Sequence, residues 1–97
     1  MQIVENWSDV EGEVKHLSPY ASDPSFAVAR VKVDAAAPVG SFANLVSKNV
    51  GNEIELRVPV AAVERLGLAP GNRLRVRVRQ AGVDKYFSHP ETIEKVS

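Results

Sequence analysis

The chain has no cysteine, few aromatics and no net charge, and each shortage removes a class of explanation. Without thiols there are no disulfides, thiolate zinc sites or cysteine nucleophiles. Lys plus Arg equals Asp plus Glu at 12 each, so any attraction to nucleic acid or membrane must be local. No apolar run approaches the roughly 20 residues needed to cross a bilayer. The opening Met-Gln-Ile-Val-Glu-Asn-Trp lacks a basic stretch followed by an apolar one. No secretory signal is therefore read there, and a cytoplasmic setting without membrane contact is the expectation. Aromatics at 6% are sparse for a dedicated base-stacking surface, and Trp7 and Phe42 read as a plug and core filler. His16 and His89 are the only histidines, thin material for a metal site. Asp23 and Asp34 read as turn residues, and Gly67 and Gly71 match neither Walker nor dinucleotide spacing. No catalytic set emerges, so the expectation is a non-enzyme without a cofactor.

What the chain does have is arginine at every second position: Arg73, Arg75, Arg77 and Arg79, with Leu74, Val76 and Val78 between them. Successive side chains on a β-strand point to opposite faces, so this spacing predicts a strand with one cationic and one aliphatic face. Such a line of charge needs partners, either phosphates or acidic side chains on a neighbouring strand.

The same alternation recurs elsewhere in the 97 residues, which fit one domain, 1–97. Val10, Gly12 and Val14 share a face over Asp9–Leu17, with Glu11, Glu13 and Lys15 opposite; the glycine marks a bend or a close backbone approach. Ser18–Ser25 reads as a loop, Phe26–Val33 as a β-branched strand, and 35–40 as its break. A weaker strand over Ser41–Lys48 leads to a turn at Asn49-Val50-Gly51-Asn52. Ile54, Leu56 and Val58 alternate with Glu53, Glu55 and Arg57. Pro59 suits a first helical turn, and Val60, Val63 and Leu66 follow helical spacing. Gly67 caps that helix with Leu68 packing back, and Ala69-Pro70-Gly71-Asn72 suits a type II turn. Lys85–Ser88 reads as a short strand, and 90–96 as a short helix or a last strand; Ser88 with Glu91 makes a weak capping box. Short strands with one helix imply an all-β fold, a small closed or partly open barrel.

Val-Glu-Gly-Glu-Val at 10–14, the helix before the penultimate strand and the overall length together resemble an OB-fold barrel. That likeness implies five main strands, fewer than the alternation suggests. The stretch Val58-Pro59 through Leu66-Gly67-Leu68-Ala69-Pro70-Gly71-Asn72-Arg73-Leu74 is also similar to AbrB-type transcription factors. It is similar as well to the second half of TOBE/Mop domains. The first likeness implies a DNA-binding dimer, the second a molybdate-type oxyanion site in an OB-type barrel. Against the TOBE pattern, Val4-Glu5-Asn6-Trp7 replaces an early Ser-Ala-Arg-Asn run. Arg79 stands where a lysine is usual, and Ala61 and Ala62 lack the hydroxyls.

The functional expectation is a binding domain for single-stranded DNA or RNA. Arg73, Arg75, Arg77 and Arg79 would meet phosphates, whose spacing along an extended strand resembles that of outward residues. Arg57, Arg30 and Lys32 would widen the surface, and Tyr20 and Phe26 would stack on bases. The competing expectation is a protein-interaction or assembly module, or a homo-oligomer, whose arginines form a structural ladder with Glu11 and Glu13.

Overall fold

Alternation becomes strand wherever it is clearest. The computed structural model describes residues 4–96, so the first three residues of the stretch weighed for a secretory signal lie outside it. The elements are β1 (Ser8–Pro19), β2 (Phe26–Pro38), β3 (Glu53–Pro59), α1 (Val60–Leu66), β4 (Arg73–Gly82), β5 (Lys85–Ser88) and β6 (Glu94–Lys95). Single 3₁₀ turns occupy Leu45–Asn49 and Pro90–Thr92. β1 pairs antiparallel with β2, β2 with β3 and β4 with β5, while β3 and β5 run parallel. Antiparallel pairing of β1 with β4 closes the ring, and β6 adds two residues beside Leu74 and Arg75. The result is a closed five-stranded barrel of OB-like form with one short extra strand. Among the described residues no helix is long and apolar enough to cross a membrane.

The inward faces are those the alternation assigns. Val10, Val14, Val31, Val33, Leu56, Val58, Leu74, Val76 and Val78 are all buried in one core. Helix α1 and the 3₁₀ turn at Leu45–Asn49 flank β3 in sequence, and they bring the buried Ala62 and Val46 into that core from its two ends. The helix stops where Gly67 takes φ 61°, the Gly67 N–H bonding to the Glu64 carbonyl at 3.3 Å and the Leu68 N–H to Val63 at 3.0 Å. That pair of bonds is the Schellman arrangement, which leaves the helix's last carbonyls satisfied. In the turn that follows, the Asn72 N–H bonds to the Ala69 carbonyl at 3.1 Å.

Gly12 sits where β1 and β2 press closest. A Cβ there would overlap the Lys32 carbonyl oxygen and stand 2.8 Å from Val31 Cγ1. The β1–β2 register also shifts between Glu11 and Gly12, so the glycine serves both a bulge and a close approach.

Several boundaries differ from those the sequence suggests. Residues 35–38 do not break β2; Ala35 to Pro38 pair with Glu11 back to Ser8 beyond the bulge. Asp34 therefore lies in a strand, not a turn. Ser41–Lys48 is not a strand, because a 3₁₀ turn there lowers Val46 into the barrel instead, and five main strands remain. Pro59 ends β3 and caps α1 from outside the helix, with φ −57° and ψ 135°. The last segment is a 3₁₀ turn and then a strand, and His89, not Ser88, precedes that turn without a side-chain cap. Phe42 is 40% exposed and Trp7 half-buried, so neither fills the core.

Candidate ligand-binding surface

The arginine strand runs beside β1, and three of its charges are answered by acids of β1, β2 and β6. Arg73 reaches Asp34 at 2.7 Å and Glu11 at 3.9 Å. Arg75 reaches Glu11 at 3.5 Å and Glu94 at 3.8 Å. Arg77 meets Asp9 through Nε at 2.9 Å and Nη2 at 3.4 Å, which raises its already high pKa. Glu13 takes no arginine; it pairs with Lys15 at 3.0 Å. These pairs are partly exposed, and each contributes on the order of 0.2–1 kcal/mol. Their larger effect is to remove three of the four cations from the pool available to phosphate. Arg30 is likewise shared between Glu53 and Glu55, at 3.7 Å to each. Lys32 is exposed between Glu13 and Glu53 in register, with no ion pair among the described residues.

Arg79 is the exception. It is exposed and has no ion pair among the described residues. Its cross-strand neighbour on β5 is Phe87, and Phe87 in turn sits beside Arg57 of β3. On its other side the β1–β4 register is prolonged by Asn6, whose Oδ1 accepts the Gln80 N–H at 2.8 Å and whose Nδ2 donates to the Gln80 carbonyl at 2.9 Å. The paired register itself ends at Ser8 opposite Val78, and Trp7, one residue beyond, stands at the end of this seam with its ring against His89 at 5.6 Å. The outer wall therefore carries Arg79, Phe87 and Arg57 in a transverse row, one ring between two guanidiniums at the roughly 4.8 Å strand spacing, with Trp7 following at the end of the β1 seam. Tyr20 extends the row from the β1–β2 loop, its ring centroid 5.2 Å from the Arg57 guanidinium carbon.

The centre of the row is rigid. Arg57 is only 9% exposed and lies between Tyr20 and Phe87, 5.9 Å from the latter's centroid. Its Nη1 donates to the Glu55 carbonyl at 2.9 Å and the Asp84 carbonyl at 3.2 Å, while its Nε is buried without a partner. Each cation–ring contact of this kind is worth about 0.5–2 kcal/mol. Phe26 meets Phe87 edge-on at 5.9 Å and 89°. Arg57 is thus a strut that holds rings in place, while Arg79 and Lys85 are the exposed cations beside them.

The two tyrosines differ in environment. The Arg57 guanidinium and then the Ser22 hydroxyl pull the Tyr20 phenol below its usual value. Burial pushes the Tyr86 phenol up, against the opposing hydrogen bond with Asn49. A near-ultraviolet absorbance titration resolves two steps, Tyr20 first and Tyr86 second, on either side of about 10. Because folding raises the Tyr86 value, the stability it contributes is present below about pH 10 and is lost as pH rises through the folded value. Tyr86→Phe leaves only the lower step; a single shared step in the unsubstituted protein would refute the assignment.

Of the residues predicted from sequence, Tyr20, Phe26, Arg57 and Arg79 come together on this wall. Arg73, Arg75 and Arg77 belong to the ladder with β1, and Arg30 and Lys32 sit among Glu13, Glu53 and Glu55. Trp7, expected as a plug, and Phe87 lie near the first four, and the β4–β5 register is what places Phe87 beside Arg79. Set against family models, curated proteins and solved structures, the chain matches none.

Proposed function

We propose that the domain is a non-enzymatic binder of single-stranded nucleic acid, with the transverse row as its contact surface rather than the arginine strand as a whole. The observation that carries this reading is the alternation of Arg79, Phe87, Arg57 and Tyr20 on one wall, with Arg79 free of acids among the described residues. Rings interleaved with cations suit unstacked bases, because every base offers a π-face and every linkage a phosphate. The row also lies on the side of the barrel where the β1–β2 and β4–β5 loops flank β3, a wall that OB-type barrels commonly use for oligonucleotides. In this reading Tyr20, Phe26 and Phe87 meet bases, and Arg79 with Lys85 meets phosphates.

Fluorescence anisotropy with labelled mixed-sequence oligonucleotides tests it at low salt. Phe87→Ala and Arg79→Ala each weaken binding about tenfold, whereas Arg73→Ala leaves it unchanged. Two free cations give a slope of log K against log salt of about −1.4. A slope several times steeper would return the arginine strand to the interface. No binding to DNA or RNA at roughly 100 μM would end the proposal.

A protein partner is the second reading, favoured by the internal neutralisation of Arg73, Arg75 and Arg77. Trp, Tyr and Arg in one patch are also what protein interfaces concentrate. Retention of a partner that is insensitive to salt but lost in Phe87→Ala would favour it.

A further inference from the structure

The row ends in a cleft that the proposed function does not use. Trp7, Val39, Phe42, Arg77 and His89 line an open cleft of about 230 Å³. One wall is the Trp7–His89 pair, ring centroids 5.6 Å apart and tilted by 58°. The other is the loop carrying Val39 and Phe42, fixed by its own turn bond from the Phe42 N–H to the Val39 carbonyl at 3.0 Å. A backbone bond from Trp7 N–H to the Ala43 carbonyl, 3.2 Å, ties the two walls together. The cleft is therefore tied together by backbone bonds yet open to solvent, and its volume is far below the several hundred Å³ of sites that enclose a drug-sized molecule.

Its polar groups are Arg77 and His89, the latter with its Nδ1 buried without a partner among the described residues. Asp9 holds the guanidinium through Nε and Nη2, which fixes its plane, and Nη1 has no hydrogen-bond partner among the described residues. A fixed guanidinium only donates, so it fits a ring edge that presents acceptors. Guanine offers two adjacent ones, O6 and N7, and uracil only one, O4, while adenine and cytosine place an amino donor on the corresponding edge.

We infer that this cleft takes a single guanine base, stacked against Trp7 and Phe42, with Arg77 donating to its O6/N7 edge. The inference deepens the nucleic-acid reading and rests on it for context, since Trp7 both ends the row and walls the cleft. It adds a base preference to a surface that otherwise has none.

Trp7 is the only tryptophan, so its fluorescence reports directly on the cleft. Guanosine 5′-monophosphate quenches it saturably, and the adenosine, cytidine and uridine monophosphates bind at least about tenfold more weakly. Phe42→Ala, a change at an exposed side chain, weakens the guanosine titration about tenfold. Equal responses to all four nucleotides, or a guanosine response indifferent to Phe42→Ala, would overturn the cleft assignment. A parallel anisotropy titration with oligo-dT separates the two claims. Oligo-dT binding without guanosine preference removes the cleft and keeps the row; guanosine binding without oligo-dT binding does the reverse.

Discussion

A Gly12→Ala variant loses about 3 kcal/mol of stability, the upper end of the usual overpacking range, because the added methyl meets backbone rather than a side chain that can turn away. The Lys32 carbonyl it overlaps is part of the β1–β2 pairing, and Val31 Cγ1 behind it belongs to the core. Relief requires β1 and β2 to separate at the bulge, which also disturbs Val10 and Val14. For a domain of this size the loss lowers Tm by roughly 12–24 °C. Thermal unfolding followed by circular dichroism measures it. A drop under about 1 kcal/mol would mean that the two strands are farther apart than described.

Asn6→Ala is the second large effect. The side chain is 1% exposed and acts as a segment of strand, accepting from and donating to the backbone of Gln80, 74 residues away. Its Nδ2 also donates to the Val4 carbonyl at 2.9 Å. Truncation leaves a buried N–H and carbonyl of Gln80 without partners, at a cost of about 1–3 kcal/mol for each. A loss of about 2–6 kcal/mol is expected in chemical denaturation, and it should come with weaker oligonucleotide binding, because the end of the β1–β4 seam beside Trp7 loses its anchor. Unchanged stability would show that the Asn6 bridge contributes nothing. Lost stability with intact binding would instead detach Trp7 from the row.

The barrel was legible where one physical rule governed a segment without competition. β4 alternates from Arg73 to Val78 because it buries one face only, and β3 alternates in hydrophobicity from Glu53 to Val58 even though Arg57 on its outer face is covered by Tyr20 and Phe87. The turn from Leu66 to Asn72 was legible because its glycine cap and its proline–glycine pair suit one local geometry each. Ala35–Pro38 was not, since alanine and proline are poor strand formers and the segment extends only because β1 lies alongside. Ser41–Lys48 failed for the opposite reason: its pattern suits a strand, yet the open end of the barrel is filled by lowering Val46 alone.

The binding wall was half legible. Arg79, Arg57, Tyr20 and Phe26 stand out by type, but their meeting depends on closure of the sheet, which no local window contains. The three ladder arginines look identical to Arg79 in sequence. They differ because Asp9 and Glu11 of β1, with Asp34 of β2 and Glu94 of β6, supply acids beside them, and among the described residues no acid pairs with Arg79.

The ring closure also sets how the chain can reach its native state. β1 is made early and β4 late in the sequence, so the wall is sealed only by partners separated by most of the polypeptide. Closing so long a loop costs entropy before any of its contacts return stability. Barrels with this much non-local pairing fold in milliseconds to seconds rather than microseconds. Until the seam shuts, the backbone edges of both strands stand open to other chains.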